Sequence, residues 1–206
     1  MLKPMTSDAD RIIELYDRHA RTWNDERSRS LFERPWLQRF ADLIPSTGSV
    51  LDIGCGAGEP IAGFFVRAGY QVHGVDSSPA MIAFCKERFA GSSWDVADMR
   101  TLSLGRMFDG ILAWDSFFHL TGDDQRRMFP TFRAHAAPNA ALMFTSGPRE
   151  GVAMGTYGGE PLYHASLAPD AYRALLVENG FEVVANVFDD PQTGGHSIWL
   201  ARRRSF

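Results

Sequence analysis

The sequence of 206 residues has few of the features that mark special classes of protein. It contains two cysteines, Cys55 and Cys85, which are too few for a disulfide framework or a cysteine-rich metal site. No segment approaches the roughly 18 consecutive apolar residues that suggest a membrane span. The first residues, MLKPMTSDAD, lack the apolar region of a secretory signal. We therefore expect a soluble cytoplasmic protein that has no membrane partner.

Positive charge is also scarce, with a formal net charge of −4. The one basic run is three arginines at 202–204, which we interpret as a solvated tail. This composition gives no reason to expect a nucleic-acid partner. The six histidines show no metal-ligand spacing, so we predict no metal site. The length suits a single domain, and it does not indicate an oligomeric state.

The pattern of apolar residues predicts an α/β protein. Short apolar runs at 50–53, 71–75, 108–114 and 140–145 alternate with segments of helical periodicity. Such alternation predicts a parallel sheet with helices on both faces and a ligand site at the carboxyl ends of the strands. Segment 147–167 is long and glycine-rich, and we expect a loop there.

The two ends of the chain depart from this alternation. A capping box at Ser7 and Asp10 starts a helical pattern that runs to Trp23, and a second helix is predicted over 36–44. Near the C-terminus, strands at 181–188 and 197–201 are joined by a short Pro/Gly-rich link. Because this link is too short for a crossover, we expect these strands to pair antiparallel.

Residues 50–60 read VLDIGCGAGEP, an apolar run followed by an acid and three glycines spaced two apart. Glycines after a buried strand let a ligand approach the backbone, so a nucleotide phosphate, a methyl donor or tight packing each fit. Dinucleotide folds use Gly-x-Gly-x-x-Gly, whereas here the spacing is Gly54-x-Gly56-x-Gly58. Asp52 would repel a pyrophosphate and attract an ammonium group, which favours a ligand that carries an amine.

Two further carboxylates follow at predicted strand ends. Asp76 ends the second strand, where a carboxylate can accept hydrogen bonds from a ribose diol. The alternative is that Asp76 only opens a turn before Ser78, the predicted cap of the next helix. At 95–100, in DVADMR, Asp98 could accept a hydrogen bond from an adenine amine, with the backbone N–H of Met99 facing a ring nitrogen.

Together these motifs resemble the class I S-adenosylmethionine-dependent methyltransferases. The resemblance rests on LDIGCGAG, VHGVDSSPAMI, DVADM and FDGILAWDSFFHL, which follow in this order within residues 49–146. It implies a Rossmann-like sheet of seven strands in the order 3-2-1-4-5-7-6, with strand 7 antiparallel, helices on both faces and N-terminal lid helices. It also implies S-adenosylmethionine as cofactor and methyl transfer to an acceptor by in-line displacement.

The resemblance further implies which residues bind the methionine part of the cofactor. Asp52, Gly54 and Gly56 would surround it. Trp114 and its neighbours, at the end of the fourth strand, would lie near the methionine moiety and the methyl group. Tyr16 and Trp23 resemble the aromatic residues of a lid helix. They could close over the sulfonium, whose charge attracts aromatic faces, or they could simply be core residues of an amphipathic helix.

The nucleoside part of the cofactor would contact a second set of residues. By the same resemblance Asp76 would bind the ribose, with the adjacent Ser77 also at the cofactor site, while Asp98 and Met99 would bind adenine. These expectations divide one domain, 1–206, into a helical cover (1–45), a cofactor-binding core (46–146), a substrate-side loop (147–167) and a C-terminal helix with the antiparallel strand pair (168–206).

The acceptor site is marked less clearly. Enzymes that methylate adenine or glutamine amides typically carry Asn/Asp-Pro-Pro-Tyr/Phe after the fourth strand, and its absence here favours a small-molecule acceptor. His119 is a candidate general base, because an imidazole can take a proton near neutral pH. Tyr157, Tyr163 and His164 are candidate substrate residues in the segment 147–167.

Two other functions stay open on the sequence alone. A nicotinamide-dependent oxidoreductase would also need a glycine loop, but the glycine spacing, Asp52 and the terminal antiparallel strand argue against it. A non-catalytic module that binds S-adenosylmethionine would keep the same cofactor residues and transfer no methyl group. The atom that receives the methyl group, whether oxygen, nitrogen, carbon or sulfur, does not follow from the sequence.

Overall fold

The computed structural model describes residues 7–205. Residues 1–6, which begin the predicted helical cover and the segment searched for a signal, lie outside the described residues, as does Phe206. The strands are β1 (Ser49–Ile53), β2 (Gln71–Asp76), β3 (Ser93–Val96), β4 (Phe108–Ala113), β5 (Ala136–Ser146), β6 (Gly151–Tyr157), β7 (Glu160–Ser166), β8 (Phe181–Asp190) and β9 (His196–Arg203). The helices are α1 (Asp8–Arg18), α2 (Ala20–Glu26), α3 (Arg34–Ala41), α4 (Ile61–Arg67), α5 (Pro79–Arg88), α6 (Gly122–His135) and α7 (Pro169–Glu178).

Seven strands form one sheet in the order β3-β2-β1-β4-β5-β9-β8. Strands β1 to β5 run parallel, and β9 is antiparallel to both β5 and β8. When the strands of this sheet are numbered alone, the order is 3-2-1-4-5-7-6, so the predicted fold is confirmed. The reversed last strand follows from its short link, since Asp190 and His196 pair across it.

The two faces of the sheet carry separate apolar cores, as expected from the period of two along a strand. Leu51 and Ile53 of β1 face a core completed by α6 and α7, which includes Phe132 and Tyr172. Val50 faces the other core, which α3, α4 and α5 complete. Helices therefore cover both faces, and the carboxyl ends of the parallel strands stay open at one edge.

The N-terminal helical pattern is interrupted where one helix was predicted. The capping box at Ser7 and Asp10 is present, but α1 ends at Arg18 and α2 begins at Ala20. His19 between them has φ −101° and ψ 11°. Its side chain lies 2.8 Å from Glu160 of β7, so a contact with a distant strand accompanies the break that sequence periodicity missed.

The prediction of a loop over 147–167 is wrong, because β6 and β7 form an antiparallel hairpin there. Its two-residue turn is Gly158-Gly159, with φ of +58° and +81°. A Gly-Gly pair between two apolar runs is a known hairpin signal and could have identified the turn. Among residues 7–205, no helix is both long and apolar enough to cross a membrane.

Candidate active site

A cavity opens at the carboxyl ends of β1, β2 and β4, beneath α1 and α2. It encloses about 790 Å³ of space that protein atoms leave free and that continues into solvent, a size typical of small-molecule sites. We call it the first cavity. The sequence-predicted residues in its wall are Tyr16, Trp23, Gly54, Gly56, Asp76, Ser77, Asp98, Met99 and His119.

The glycine loop needs its glycines for two different reasons. Gly54 and Gly56 both have positive φ, +76° and +53°, which side chains rarely adopt. A Cβ on Gly54 would also lie 2.2 Å from the Cβ of Ser116. The backbone of the glycine loop therefore packs directly against the side chain of Ser116. A Cβ on Gly56 would meet only the indole nitrogen of Trp23, at 3.7 Å. The bare backbone at Gly56 therefore keeps space free under the lid.

The contacts of Asp76 are compatible with both roles that the sequence leaves open, namely opening the turn before Ser78 and binding a ribose. One carboxylate oxygen accepts a hydrogen bond from the N–H of Ser78 and the other from the N–H of Gly56, each at 2.9 Å. Burial raises the pKa of Asp76 above its usual range. Since each oxygen retains a lone pair, the carboxylate can stabilise the turn and still accept hydrogen bonds from a ligand in the cavity.

Asp52 lies behind the glycine loop and outside the wall of the first cavity. The residue is 4% exposed and its backbone pairs within the sheet, but its carboxyl group makes no hydrogen bond or ion pair with the described part of the chain. Burial, together with the charge of Asp76, raises the pKa of Asp52 to about 7. A buried carboxyl group without a partner suits a ligand that brings a cation close to it.

The adenine end of the predicted site contains an ion-pair network that the sequence did not indicate. The guanidinium of Arg100 contacts both oxygens of Asp98, with a shortest distance of 2.7 Å from Nη2 to Oδ2. Its Nη1 lies 2.6 Å from Oδ1 of Asp10 on α1, and Arg100 lowers the pKa of Asp10. Arg100 therefore joins the lid helix to the cavity floor beside Met99.

His119 and Tyr16 form a hydrogen-bonded pair in the cavity wall. Nδ1 of His119 lies 2.8 Å from the backbone carbonyl of Tyr163, which can only accept, so Nδ1 carries the proton. Nε2 then accepts the hydroxyl proton of Tyr16, at 3.0 Å. Burial lowers the pKa of His119 to about 4, and it raises the pKa of Tyr16.

The lid aromatics pack with the hairpin. Tyr16 and Trp23 meet edge to face, with ring centroids 5.4 Å apart, and Tyr157 of β6 packs against both. The hydroxyl group of Tyr157 reaches Glu26, at 3.4 Å. Tyr16 and Trp23 thus contact protein on one side and line the cavity on the other. Of the predicted substrate residues, Tyr157 and Tyr163 lie outside its wall.

A second cavity, of about 1060 Å³, lies between the hairpin, the end of β5 and the β8–β9 turn. His164 of β7 lines it, with its ring centroid 4.9 Å from that of His119. His196, at the start of β9, lines it as well. The turn after β4 contributes His119 to the first cavity and Phe118 to the second.

The residue at the end of β4 that faces the first cavity is Asp115 rather than Trp114. Trp114 is 4% exposed and belongs to the core beneath α3, so the structure does not place it in either cavity wall. Successive residues of a strand point to opposite faces. Asp115 then turns the chain with φ +51° and brings its carboxylate into the wall, with Ser116 beside it.

Part of the chain matches a known protein family. Residues 50–139 match the family model described as a methyltransferase domain. Two curated relatives match at 26% and 28% identity, and the chain spans about half (54%) of the length of each. One is the dTDP-3-amino-3,6-dideoxy-alpha-D-glucopyranose N,N-dimethyltransferase of Streptomyces fradiae, aligned over 68% of this chain.

Solved structures share the fold at low sequence identity. SAM-bound CalS10, an amino pentose methyltransferase from Micromonospora echinaspora, has a TM-score of 0.70 at 20% identity and covers 90% of this chain and 96% of its own. Magnesium protoporphyrin IX methyltransferase (ChlM) from Synechocystis PCC 6803 has a TM-score of 0.74 at 16% identity, over 98% and 100% of the two chains.

A third similar structure is the 1,6-didemethyltoxoflavin-N1-methyltransferase of Burkholderia thailandensis. It has a TM-score of 0.73 at 17% identity, over all of this chain and 94% of its own. These likenesses establish the fold, and the family match covers residues 50–139, less than half of the chain. The chain therefore has the fold of these methyltransferases and is similar to a methyltransferase domain over that segment.

Proposed function

We propose that the protein transfers a methyl group from S-adenosylmethionine to a small-molecule acceptor. The observation that carries the proposal is the first cavity, where the glycine loop, Asp76 and the Asp98–Met99 turn meet at the ends of three neighbouring strands. The buried, unpartnered carboxyl group of Asp52 behind the loop supports a ligand with an ammonium group. The names of the relatives, all methyltransferases, support the same reaction.

Each group in the cavity wall has a task in this proposal. When bound, S-adenosylmethionine supplies a methyl group made electrophilic by the sulfonium charge. Asp76 accepts hydrogen bonds from the ribose. The two oxygens of Asp98 already accept from the backbone N–H, Nε–H and Nη2–H of Arg100, and Asp98 accepts one hydrogen bond from the adenine amine with the one lone pair that these three donors leave. Tyr16 and Trp23 exclude water from above. Holding donor and acceptor in line contributes up to about 7–11 kcal/mol in well-oriented reactions.

We assign His119 to the positioning of Tyr16. Its only nitrogen with a lone pair already accepts the hydroxyl proton of Tyr16. A pKa of about 4 also makes it a weak base near neutral pH. This arrangement supports a reaction that needs no strong base in the wall of the first cavity, and it leaves the general-base role of His119 as a prediction from sequence.

We further propose that the protein acts in the cytoplasm and without a nucleic-acid partner. The net charge of −4 supports this, because nucleic-acid binding usually requires clustered positive charge. The second cavity, which the hairpin borders and which opens to solvent, supports an acceptor of metabolite size.

Calorimetry with S-adenosylmethionine and S-adenosylhomocysteine tests the proposal. We expect both to bind, and we expect Asp76→Ala to weaken binding more than tenfold because the ribose loses a charged acceptor. Asp123→Ala, which removes an exposed carboxylate outside the cavity wall, is the matched control. No binding at millimolar concentration would contradict the proposal, and equal affinity of Asp76→Ala would remove Asp76 from the ribose site.

Turnover separates an enzyme from a module that only binds the cofactor. With methyl-labelled S-adenosylmethionine and a metabolite extract, we expect label in a small molecule and release of S-adenosylhomocysteine. A pure binding module would release none. Oxidoreductase activity is checked by adding NADH, whose fluorescence should not change.

A further inference from the structure

Asp115 lines the first cavity, and the nearby His196 lines the second. The backbone of Asp115 has a conformation that few residues adopt. Its φ of +51° lies in the left-handed region, which costs energy for any residue other than glycine and is often found at functional sites. The backbone N–H of Asp115 donates to the hydroxyl oxygen of Thr145, at 2.9 Å. Its side chain is 22% exposed, so the carboxylate is held in place and still accessible from the first cavity.

Two basic side chains lie near this carboxylate. Nε2 of His196 lies 2.9 Å from Oδ1 of Asp115, and Nη2 of Arg27 lies 4.0 Å from Oδ2. The other ring nitrogen of His196, Nδ1, faces the carbonyl oxygen of Thr193, which can only accept, so Nδ1 carries a proton. Burial alone would lower the pKa of His196, but the Asp115 carboxylate outweighs it and raises that pKa.

The two carboxylate oxygens are not equivalent. Oδ1 lies 2.9 Å from Nε2 of His196 and accepts a hydrogen bond from the Thr145 hydroxyl at 3.5 Å, whereas Oδ2 has only the distant contact with Arg27. Arg27 is itself held by the buried Glu33, with Nη2 2.8 Å from Oε1. Oδ2 therefore keeps the capacity to accept a hydrogen bond from a ligand.

Asp115 also lies at the end of the cavity where methyl transfer is expected. Its neighbour Ser116 packs against Gly54, the first glycine of the loop predicted to surround the methionine part of the cofactor. The negative charge of Asp115 acts on the other titratable groups of this region, because it raises the pKa of Tyr16 and opposes the burial effect on His119 and His164. It is the central negative charge between the cavities.

From this geometry we propose that the methyl acceptor is an amine, whose nitrogen Asp115 holds beside the transferred methyl group. The inference rests on the proposed function and specifies its substrate class. Oδ2 of Asp115 accepts an N–H of the neutral amine and so directs the nitrogen lone pair away from itself. That lone pair forms the new N–C bond, the S–C bond breaks, and its electron pair stays on sulfur. The positive charge thereby passes from sulfur to nitrogen.

A fixed carboxylate stabilises the positive nitrogen as it forms, and the product then loses its extra proton to solvent. A hydroxyl acceptor would instead need a base to remove its proton. In the wall of the first cavity, the lone pair of His119 is already used by Tyr16. The rest of the amine occupies the second cavity, which His196 and His164 line from the far side of Asp115.

Sinefungin tests this placement of charge by a binding measurement. It resembles S-adenosylhomocysteine but carries an amine where the sulfonium methyl group would be. We expect wild-type protein to bind sinefungin at least about tenfold more tightly than S-adenosylhomocysteine, since hydrogen bonds to charged groups contribute this much. Asp115→Asn keeps the shape and tolerates positive φ. It should abolish the preference and leave the affinity for S-adenosylhomocysteine within about twofold.

Two further variants guard this measurement. Asp115→Gly removes the backbone strain of the positive φ and should also lose the preference for sinefungin. It provides a second measurement if Asp115→Asn fails to fold. Asp189→Asn changes another aspartate at positive φ, +48°, on the exposed part of β8, and should keep the preference. A preference that survives in both Asp115 variants overturns the inference. Failure of wild-type protein to bind S-adenosylhomocysteine would instead contradict the proposed function.

The methylated atom gives an independent answer. Products formed from an extract with labelled methyl donor are identified by mass spectrometry, and we expect an N-methyl group. An O-, C- or S-methyl product overturns the amine assignment even if Asp115 recognises sinefungin. Binding of S-adenosylhomocysteine without any product counts against the proposed activity, while the sinefungin comparison still decides the role of Asp115.

Discussion

The two ends of the ligand site are built in different ways. At the cofactor end, the groups come from three short segments, each directly after a parallel strand, and many of them are backbone N–H groups or bare glycines. At the acceptor end, side chains from distant segments meet, as Asp115 and His196 do at 2.9 Å. The first end is therefore determined by local chain geometry and the second by tertiary packing.

Substitution of glycine by alanine should show the largest difference in stability between the two ends. Gly54→Ala combines a positive φ with a Cβ 2.2 Å from Ser116, so we expect a loss of about 4 kcal/mol in the free energy of unfolding. Gly158→Ala at the hairpin turn meets only the ring of His19, which can move, and should cost about 2 kcal/mol. Urea denaturation measures both.

Gly105→Ala is the control for this pair, because it has φ +64° and nothing within 4 Å of the added Cβ. It isolates the backbone cost, which we expect to be about 1 kcal/mol. Binding of S-adenosylhomocysteine should fall more than about tenfold for Gly54→Ala alone. Equal losses of stability at Gly54 and Gly158 would remove the distinction between a backbone-built and a side-chain-built end.

The stability of the two ends should also respond to pH with opposite sign. The pKa of Asp52, raised from 3.8 to about 7, means that ionising this buried group costs stability as the pH rises through that range. The pKa of His119, lowered from 6.5 to about 4, means that protonating it costs stability as the pH falls through that range. At 1.36 kcal/mol per unit, these costs are about 4 and about 3 kcal/mol.

Unfolding free energies at pH 7 and pH 4 measure these contributions separately. The relevant difference is the free energy of unfolding at pH 7 minus that at pH 4. Asp52→Asn should raise this difference by about 4 kcal/mol, because the ionisation cost at pH 7 disappears. His119→Gln should lower that difference by about 3 kcal/mol, because the cost at pH 4 disappears. Changes of the same sign in the two variants would contradict the assignment of either buried group.

The fold follows from local signals that the structure largely confirms. Apolar runs located β1, β2, β4 and β5, and a short link identified the antiparallel pair of β8 and β9. Two features were missed because distant contacts decide them. The break at His19 accompanies its bond to Glu160, and the hairpin docks on α1 through β7. Neither contact can be predicted from helical periodicity in the sequence.

The same distinction explains what could be predicted of the site. Gly54, Gly56 and Asp76 could be located because each follows a strand in a fixed pattern. The sequence indicated Trp114 and its neighbours and could not single out Asp115, since which of two adjacent residues faces the cavity depends on a left-handed turn. His196 lies 2.9 Å from Asp115 only because β9 returns beside β5, which no local pattern indicates.

The contact between the hairpin and α1 can be loosened without touching the cofactor end. Glu160 lies 2.5 Å from Arg18 and 2.8 Å from His19, and both partners lower its pKa. In Glu160→Gln we expect faster amide hydrogen exchange over residues 151–166 and unchanged exchange over 50–60. Affinity for S-adenosylhomocysteine should stay within about twofold. Glu178→Gln, an exposed change on α7, is the control. Faster exchange in the glycine loop would mean that the two ends are coupled.

The ion pair between Asp10 and Arg100 should have the smallest effect, although it joins the lid helix α1 to the adenine end of the site. The side chains are 38% and 27% exposed, and such pairs contribute at most about 1 kcal/mol. In Asp10→Asn the amide oxygen can still accept the Ser7 hydrogen bonds of the capping box, so the variant removes mainly the charge. We expect at most about threefold weaker binding of S-adenosylhomocysteine at low salt.

That difference should vanish near 1 M salt, where the screening length is about 3 Å. Asp8→Asn, whose contact with the exposed Arg11 lies on the same helix turn at 3.4 Å, should bind as wild-type protein does at any salt concentration. A salt-independent loss in Asp10→Asn would mean that the carboxylate acts through helix capping. The lid would then be coupled to the adenine end by helix geometry, and Arg100 would serve only to hold Asp98.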